Sequence, residues 1–469
     1  MPIPVISLAQ MREWERATWS SGQTEAEVIR RVGKRIARRI RKLTRGSDAI
    51  LFLAGKGNNG NDARAAAEFL DDRKIEFLNV ISPATDLRRL EELLRQKFAL
   101  IVDGIFGIGL NRPLDAHWQK FVSTINDSQI PVLAIDTPSG LNCETGEHFG
   151  AAIQAAITLT VGAPKTGLLV QAAWPFVGRL EVLDDVGLVP CPFKSELNWI
   201  SPDDFENFPP RRAVAAHKGS FGHLAVVAGS FGFHGASVLA TRGAQRAQPG
   251  LITLLTHENV YGVVAPQLHA PMVNVWKPDL EFPKTTSAIL IGPGLHAPGV
   301  ADEMKPFAQK LWRESDLPIV VDASALDWLP PGDLPANKIR VITPHPGEAA
   351  RLLNCSTPEI QANRPNAVRE ISKRFGNCWV ILKGHQTLIG RNAGEMFVNS
   401  SGNPHLAQGG SGDVLSGLIA GLIAQPPLQT DIGKTLCYAV WQHGAAADEL
   451  QSSRKNWIIE DLIERLADC

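Results

Sequence analysis

Hydrophobic positions along the chain alternate between two styles. Short unbroken apolar runs recur, and between them apolar residues return every three or four positions. In the first half the runs are Ala49–Ala54, Phe77–Ile81, Leu100–Val102, Val132–Ile135 and Ile157–Val161. Strands of a parallel sheet covered on both faces read this way, because neither face is solvated. Helical stretches such as Ala63–Asp71 and Leu87–Phe98 separate them. The second half repeats the style with His223–Ala228, Leu251–Leu255, Ala288–Ile291, Pro318–Val321, Arg340–Ile342 and Trp379–Leu382, then a long helix of small residues, Gly412–Ala424. This alternation predicts an α/β protein with doubly wound sheets. Between the halves stand Pro190, Pro192, Pro202, Pro209, Pro210 and the pair Asp203 and Asp204. Proline density of that kind predicts a linker or extended lead-in. The expected domains are therefore residues 1–195 and 196–469.

Composition narrows the class. At 469 residues, 44% hydrophobic and 20% charged, the chain buries real cores and is not a disordered protein. With 47 basic against 48 acidic residues the net charge is −1, so no global field draws it to nucleic acid or membrane. The start, MPIPVISLAQMREWE, lacks a charged leader before an apolar stretch, and no signal peptide is expected. The six cysteines, Cys143, Cys191, Cys355, Cys378, Cys437 and Cys469, form no Cys-x-x-Cys pair. A reduced, cytoplasmic protein without zinc or disulfides is expected. Residues 28–45 hold nine basic and no acidic side chains, with Val28, Ile29, Val32, Ile36 and Ile40 at helical spacing. That pattern predicts an amphipathic helix with a solvated basic face.

Chemistry concentrates in turns that follow strands. Ala49–Ala54 runs into Gly55-Lys56-Gly57-Asn58-Asn59-Gly60-Asn61-Asp62. Glycines let a backbone approach a phosphate, and a helix start presents free N–H groups with partial positive charge. The polar side chains exceed what helix capping requires, which points to a ligand site. Asp103 heads a second turn, Gly104-Ile105-Phe106-Gly107-Ile108-Gly109-Leu110, and Asp136 a third, Thr137-Pro138-Ser139-Gly140-Leu141. Both aspartates stand at carboxyl ends of predicted strands, where open α/β sheets bind ligands. In the second half, Gly409-Gly410-Ser411-Gly412-Asp413 leads into the small-residue helix. Backbone amides there predict an anion hole at residues 409–412, and Asp413 is placed to accept a proton from an attacking hydroxyl during phosphoryl transfer. The turns Lys383-Gly384-His385-Gln386-Thr387, Gly292-Pro293-Gly294, Thr343-Pro344-His345-Pro346-Gly347-Glu348 and Val321-Asp322 each follow a strand as well. No Gly-x-x-x-x-Gly-Lys-Ser/Thr occurs, so the chain is not a P-loop NTPase.

GKGNNGND, DGIFGIGL and DTPSGL closely resemble the N-terminal domain of the bifunctional NAD(P)H-hydrate repair enzymes, and the glycine–aspartate turn with its companions resembles their C-terminal, ribokinase-like domain. The resemblance implies a Rossmann-like doubly wound N-terminal domain that epimerises R- and S-NAD(P)H-hydrate. It implies a C-terminal domain that uses ADP with Mg2+ to dehydrate the S form, restoring NAD(P)H and giving AMP and phosphate. By resemblance, Asn58, Asn59, Gly60, Asn61, Asp62 and Gly107, Ile108, Gly109, Leu110, Asn111, Arg112, Pro113 cradle the dinucleotide, with Asp136 beside the substrate. Asn59, Asp103 and Ser139 would hold K+, an oxygen donor set suited to a hard cation. Lys165 would sit near the reacting ring or a phosphate, unless it is an exposed loop lysine. Ala236, Gly294, His345 and Asp413 would contact the hydrate, while Lys383, Gly384, His385, Gln386, Thr387 and Gly412 would contact the nucleotide. For Ala236 and Gly294, simple close packing stays open, as does a histidine satisfied within its own turn for His345.

The family loop usually reads NNGGDG; here Asn61 and Ala63 replace two glycines, and Asn61 would tolerate a positive φ if one were needed. Asp322-Ala323-Ser324-Ala325-Leu326 replaces Asp-Ala-Asp-Ala-Leu. The family tends to associate, so a homo-oligomer is expected. Three other readings remain at this point: a ribokinase-type kinase for a vitamin precursor, a non-catalytic N-terminal nucleotide-binding module, and a hydride-transferring dehydrogenase resting on GxGxxG alone.

Overall fold

The computed structural model describes residues 2–277 and 281–466. The chain forms two compact units, Ile3–Ser195 and one that begins at Glu196.

In the first unit six parallel strands run in the order Lys74–Asn79, Ala49–Ala54, Leu100–Gly104, Val132–Ile135, Ile157–Val161, Arg179–Leu183. Successive side chains of Ala49–Ala54 serve opposite layers, as strand geometry requires. Ile50 and Phe52 pack with Val32, Ile36 and Ile40 of the helix Glu25–Leu43. Leu51 and Leu53 pack with Leu90 and Leu93 of Pro83–Leu94 and with Phe121 and Ile125 of Ala116–Asp127. Each such side chain contributes about 1.5–3 kcal/mol by leaving water. The basic face of Glu25–Leu43 is solvated and ion-paired: Arg39 grips Glu181 with two 2.7 Å hydrogen bonds, and Arg35 meets Asp185. The strand order reverses beside Ala49–Ala54, which opens a crevice between the turns after that strand and after Leu100–Gly104.

In the second unit seven parallel strands run Met272–Val275, Leu251–Thr256, His223–Val227, Ala288–Ile291, Ile319–Val321, Arg340–Ile342, Trp379–Leu382. Leu388–Gly390 and Met396–Val398 continue the sheet antiparallel, and Leu197–Trp199 joins beyond them. The helix Ser411–Ile423 crosses His234–Arg246 at backbone contact. A Cβ on Gly417 would lie 1.9 Å from the Ala240 carbonyl oxygen, so only glycine permits the approach.

Several expected elements shift. Ala63–Asp71 becomes Asn58–Glu68, so Asn58–Asp62 forms the first helical turn and not a loop before it. Leu87–Phe98 becomes Pro83–Leu94, with proline in the first turn. Phe77–Ile81 becomes Lys74–Asn79, an edge strand whose side chains are mostly not buried. The proline-rich stretch is only partly a connector. Trp199 is buried in Leu197–Trp199, and Phe205 packs against Tyr438 and Trp441. Apolar anchors there override the proline signal. Arg179–Leu183 and the antiparallel pair escaped the pattern because they are short and carry few consecutive apolar residues. Cys143, Cys191, Cys355, Cys378 and Cys437 are free thiols, and Cys469 lies outside the described residues. Among the described residues no helix is long and apolar enough to cross a membrane.

Candidate active sites

A cavity of about 660 Å³ occupies the crevice of the first unit. Asn58, Asn59 and Asp62 line it from one helix start, Gly107 to Arg112 from the neighbouring turn, and Asp136 from the third. Gly55 and Gly60 shape it without side chains. A Cβ on Gly60 would sit 2.0 Å from the Gly55 oxygen, and one on Gly55 2.0 Å from the Ile105 oxygen. Gly60, Asn61 and Pro113 are not on the cavity wall. Asn61 is helical, without positive φ, and accepts from Arg64 at 3.1 Å, so its replacement of a family glycine strains nothing. Ala63 is buried, against the place a Gly104 Cβ would fill.

Beneath the wall, Asp103 is wholly buried. Its carboxylate accepts from the Ser139 amide at 2.8 Å, the Ser139 hydroxyl at 2.6 Å and the Ile105 amide at 3.2 Å. Burial pushes its carboxyl up to about 6, although those three hydrogen bonds pull it down. The Ser139 hydroxyl accepts from the Phe106 amide at 2.8 Å, and Asn59 donates to the Phe106 carbonyl at 2.8 Å. Asn59, Asp103 and Ser139 are thus one connected cluster around Phe106.

Asp136 adopts φ +62°, a left-handed conformation that a residue other than glycine holds only when its surroundings impose it. Those surroundings are visible. Lys165 is wholly buried and is not an exposed loop lysine. Its ammonium donates to Asp136 Oδ1 at 2.6 Å, to Thr160 Oγ1 at 2.9 Å and to the Val161 carbonyl at 2.8 Å. All three N–H groups are committed, and Lys165 does not line the cavity. The Lys165 backbone is pinned in turn by Ile6, whose amide donates to the Pro164 carbonyl and whose carbonyl accepts from Thr166. Carboxyls crowd the cavity. Burial first, then Asp136, Glu15 and Glu25, hold the Asp62 carboxyl well above the usual range. Glu15, Glu25 and Trp19 line the wall but escape motif reading, since they sit on amphipathic helices far in sequence from the glycine turns.

In the second unit the reversal of strand order falls beside His223–Val227. Ser230 there donates to the Gly294 carbonyl at 2.6 Å. Gly294 has φ +67°, and a Cβ on it would lie 2.9 Å from that of Ala236. The two are brought together by close packing at the switch point. Farther along the sheet, Lys383 Nζ donates to Asp322 at 2.8 Å, Thr343 donates to the same Asp322 oxygen at 2.7 Å, and Glu348 lies 3.8 Å from the ammonium. A Cβ on Gly412 would be 3.3 Å from Lys383 Nζ, so the 383–387 turn and the glycine–aspartate turn meet. Burial lowers the Lys383 ammonium, but Asp322, Glu348 and Asp413 outweigh it and raise it. Burial, with Asp322 and Glu348 adding, pushes the Asp413 carboxyl up to about 7 against the pull of Lys383.

Gly410 takes φ +92° and starts the helix Ser411–Ile423. The Ser411 amide is spent on the Gln408 carbonyl at 3.3 Å, whereas the amides of Gly412 and Asp413 have no backbone partner among the described residues. The free amides at this helix start are therefore fewer than the glycine run suggests. His345 is an N-cap: its Nδ1 accepts from the Gly347 amide at 3.0 Å, and Glu348 returns a bond to the His345 amide at 2.7 Å. Half its side chain stays exposed, while Nε2 lies 3.6 Å from the Glu348 carboxylate. Arg364, which no motif signals, is buried under the 383–387 turn and donates to the Leu382 carbonyl at 3.0 Å. His443 is buried beside Ser411 and Lys383, and burial pushes it down to about 4.

Residues 224–468 match the family model described as NAD(P)H-hydrate dehydratase, and residues 25–91 and 78–167 match the one described as YjeF-related protein N-terminus. The chain is 33% identical, over 97% of its length and 97% of the relative's, to the bifunctional NAD(P)H-hydrate repair enzyme Nnr of Coxiella burnetii. It is 32% identical to the Escherichia coli enzyme of that name, over 92% of this chain and 86% of that one. Among solved structures, a ribokinase-like superfamily protein from Enterococcus faecalis superposes with TM-score 0.51 at 26% identity, covering 59% of this chain and 96% of that one. With both family models matched and 33% identity over 97% of each chain, the chain belongs to the bifunctional NAD(P)H-hydrate repair enzymes.

Proposed function

We propose that the first unit epimerises R- and S-NAD(P)H-hydrate at C6 and that the second dehydrates the S form with ADP as phosphoryl donor. The meeting of Asp413, the Gly412 and Asp413 amides and Lys383 at one helix start carries this reading. Hydroxide is a poor leaving group and phosphate a good one. Asp413 takes the proton of the C6 hydroxyl as its oxygen attacks the terminal phosphorus of ADP. The two amides and the Lys383 ammonium face the charge that spreads over the transferring group. The C6–O bond then breaks with its electrons leaving on phosphate, and loss of a C5 proton restores the dihydronicotinamide. Mg2+ would come with the ADP phosphates rather than in an all-protein cage, and would neutralise phosphate charge when bound. Ala236, Gly294 and the half-exposed His345 would meet the hydrate, and residues 383–387 the nucleotide.

In the first unit Asn58, Asn59, Asp62 and residues 107–112 would hold the dinucleotide around Asp136. The side-chain oxygens of Asn59, Asp103 and Ser139 and the Phe106 carbonyl are hard donors that would suit K+, which would brace the two turns together. Lys165 orients Asp136 from behind and is a positioning residue.

Incubation of the full chain with mixed R- and S-NADH-hydrate tests the reading. The dihydronicotinamide absorbance returns completely with ADP and Mg2+. Return with no nucleotide, or a stable phosphorylated product, overturns it.

A further inference from the structure

Glu15 stands on the helix Leu8–Ser20 and lines the same cavity as Asp136, which comes from the end of Val132–Ile135. Two carboxyls thus reach one cavity from separate elements. Their situations differ. Asp136 is ion-paired with Lys165 and accepts from the Val161 amide at 3.1 Å. No hydrogen bond or ion pair among the described residues holds the Glu15 carboxyl, although its helix is firmly fixed. Ser7 and Gln10 close a capping box at the helix start, Trp14 Nε1 donates to the Val189 carbonyl at 2.8 Å, and Thr18 accepts from the Val189 amide. A carboxyl on a rigid helix with its own valences unspent is free to exchange a proton with a ligand.

The charged groups around Glu15 are Asp136, Glu25 and Asp62 on the acidic side, with Lys165 and Arg12 opposing, and Lys56 and Arg112 on the cavity wall. Burial first, then Asp136, raises the Glu15 carboxyl above its ordinary value. Two carboxyls in one cavity, one ion-paired and one without a partner among the described residues, are placed to divide acid and base duties between them.

We propose that Glu15 is the second acid–base group of the epimerase, working across the cavity from Asp136. This rests on the epimerase reading. Protonated Glu15 gives its proton to the C6 hydroxyl, the C6–O bond breaks with both electrons on oxygen, and water departs. The ring nitrogen lone pair forms a C6=N iminium. Water adds to the opposite face, and Asp136 takes its proton. One hydroxyl is lost and one gained, with no change of oxidation state, and the reverse reaction exchanges the roles. The two protons re-equilibrate through solvent at the half-open site.

The test uses the full chain without nucleotide, so that dehydration is silent, and follows R-hydrate turning into S-hydrate by chromatography. Glu15→Gln is expected to lower kcat by about 10²–10⁴-fold with little change in KM. The high-pH limb of the wild-type rate profile disappears in that variant, and Glu15→Asp recovers part of the rate. In ¹⁸O-water, wild-type product carries the label at C6. A Glu15→Gln rate within a few-fold of wild type, or unlabelled product, overturns the proposal. Wild-type protein that does not epimerise at all would instead remove the underlying reading. If Glu15→Gln melts early, Glu15→Asp and the label carry the decision.

Discussion

Lys165 Nζ lies 2.6 Å from Asp136 Oδ1 with the lysine wholly enclosed, and the same ammonium reaches Thr160 and the Val161 carbonyl. Removing one partner of a buried pair strands the other, which costs about 3–5 kcal/mol. Lys165→Met is therefore expected to lower the melting temperature of the first unit and to abolish epimerisation. ADP-dependent turnover of pure S-hydrate stays near wild type, because Lys165 is not part of the second unit. Calorimetry of the full chain and the two separate assays check this. An unchanged melting temperature would show that the pair contributes nothing.

Asp413 must be ionised to act as a base, and burial holds its carboxyl near 7. For the free enzyme, kcat/KM for dehydration is expected to rise with pH through about 7 and then level off. The stability sign is opposite. The folded chain binds this proton more tightly than the unfolded chain, whose carboxyl titrates near its ordinary value. Stability from this group is full at low pH and is lost as pH rises through about 7. Asp413→Asn at pH 8 should thus melt no lower than wild type while losing about 10²–10⁴-fold in turnover. A variant that is both active and less stable contradicts the assignment.

The glycines of the first turn are not equivalent. A Cβ at Gly60 meets the Gly55 oxygen at 2.0 Å, whereas one at Gly57 meets nothing within 4 Å. Gly57 also has φ −92°, an ordinary value. Gly60→Ala is expected to destroy the turn and epimerisation with it. Gly57→Ala should keep the fold and change the rate only through its approach to bound dinucleotide. Comparing the two melting curves and rates distinguishes backbone fit from ligand contact.

Arg364 holds the Leu382 carbonyl from below, and a Cβ at Gly384 would lie 3.1 Å from its guanidinium. Arg364→Met leaves buried carbonyls unpaired at about 1–3 kcal/mol and loosens the turn that presents Lys383. The expected result is a KM for ADP raised several-fold with a smaller change in kcat. Steady-state kinetics at varied ADP measure it; equal KM values would remove the positioning role.

Local patterning in the sequence already determined the α/β class, most strands and the glycine- and aspartate-bearing turns of each half. These are short-range properties: apolar runs, glycine where backbones must touch, polar side chains at helix starts. The tertiary structure alone decided that Lys165 points inward to Asp136, that Ser411 spends its amide on Gln408 while Gly412 and Asp413 keep theirs, and that Glu15 shares a cavity with Asp136 and the glycine turns far along the chain. The order of strands in each sheet was equally illegible, since pairing is settled by which buried faces fit together across long loops. Burial, with neighbouring charge at Asp62 and Asp413 and hydrogen bonds at Asp103, sets the behaviour of these carboxyls only once distant segments have closed water out.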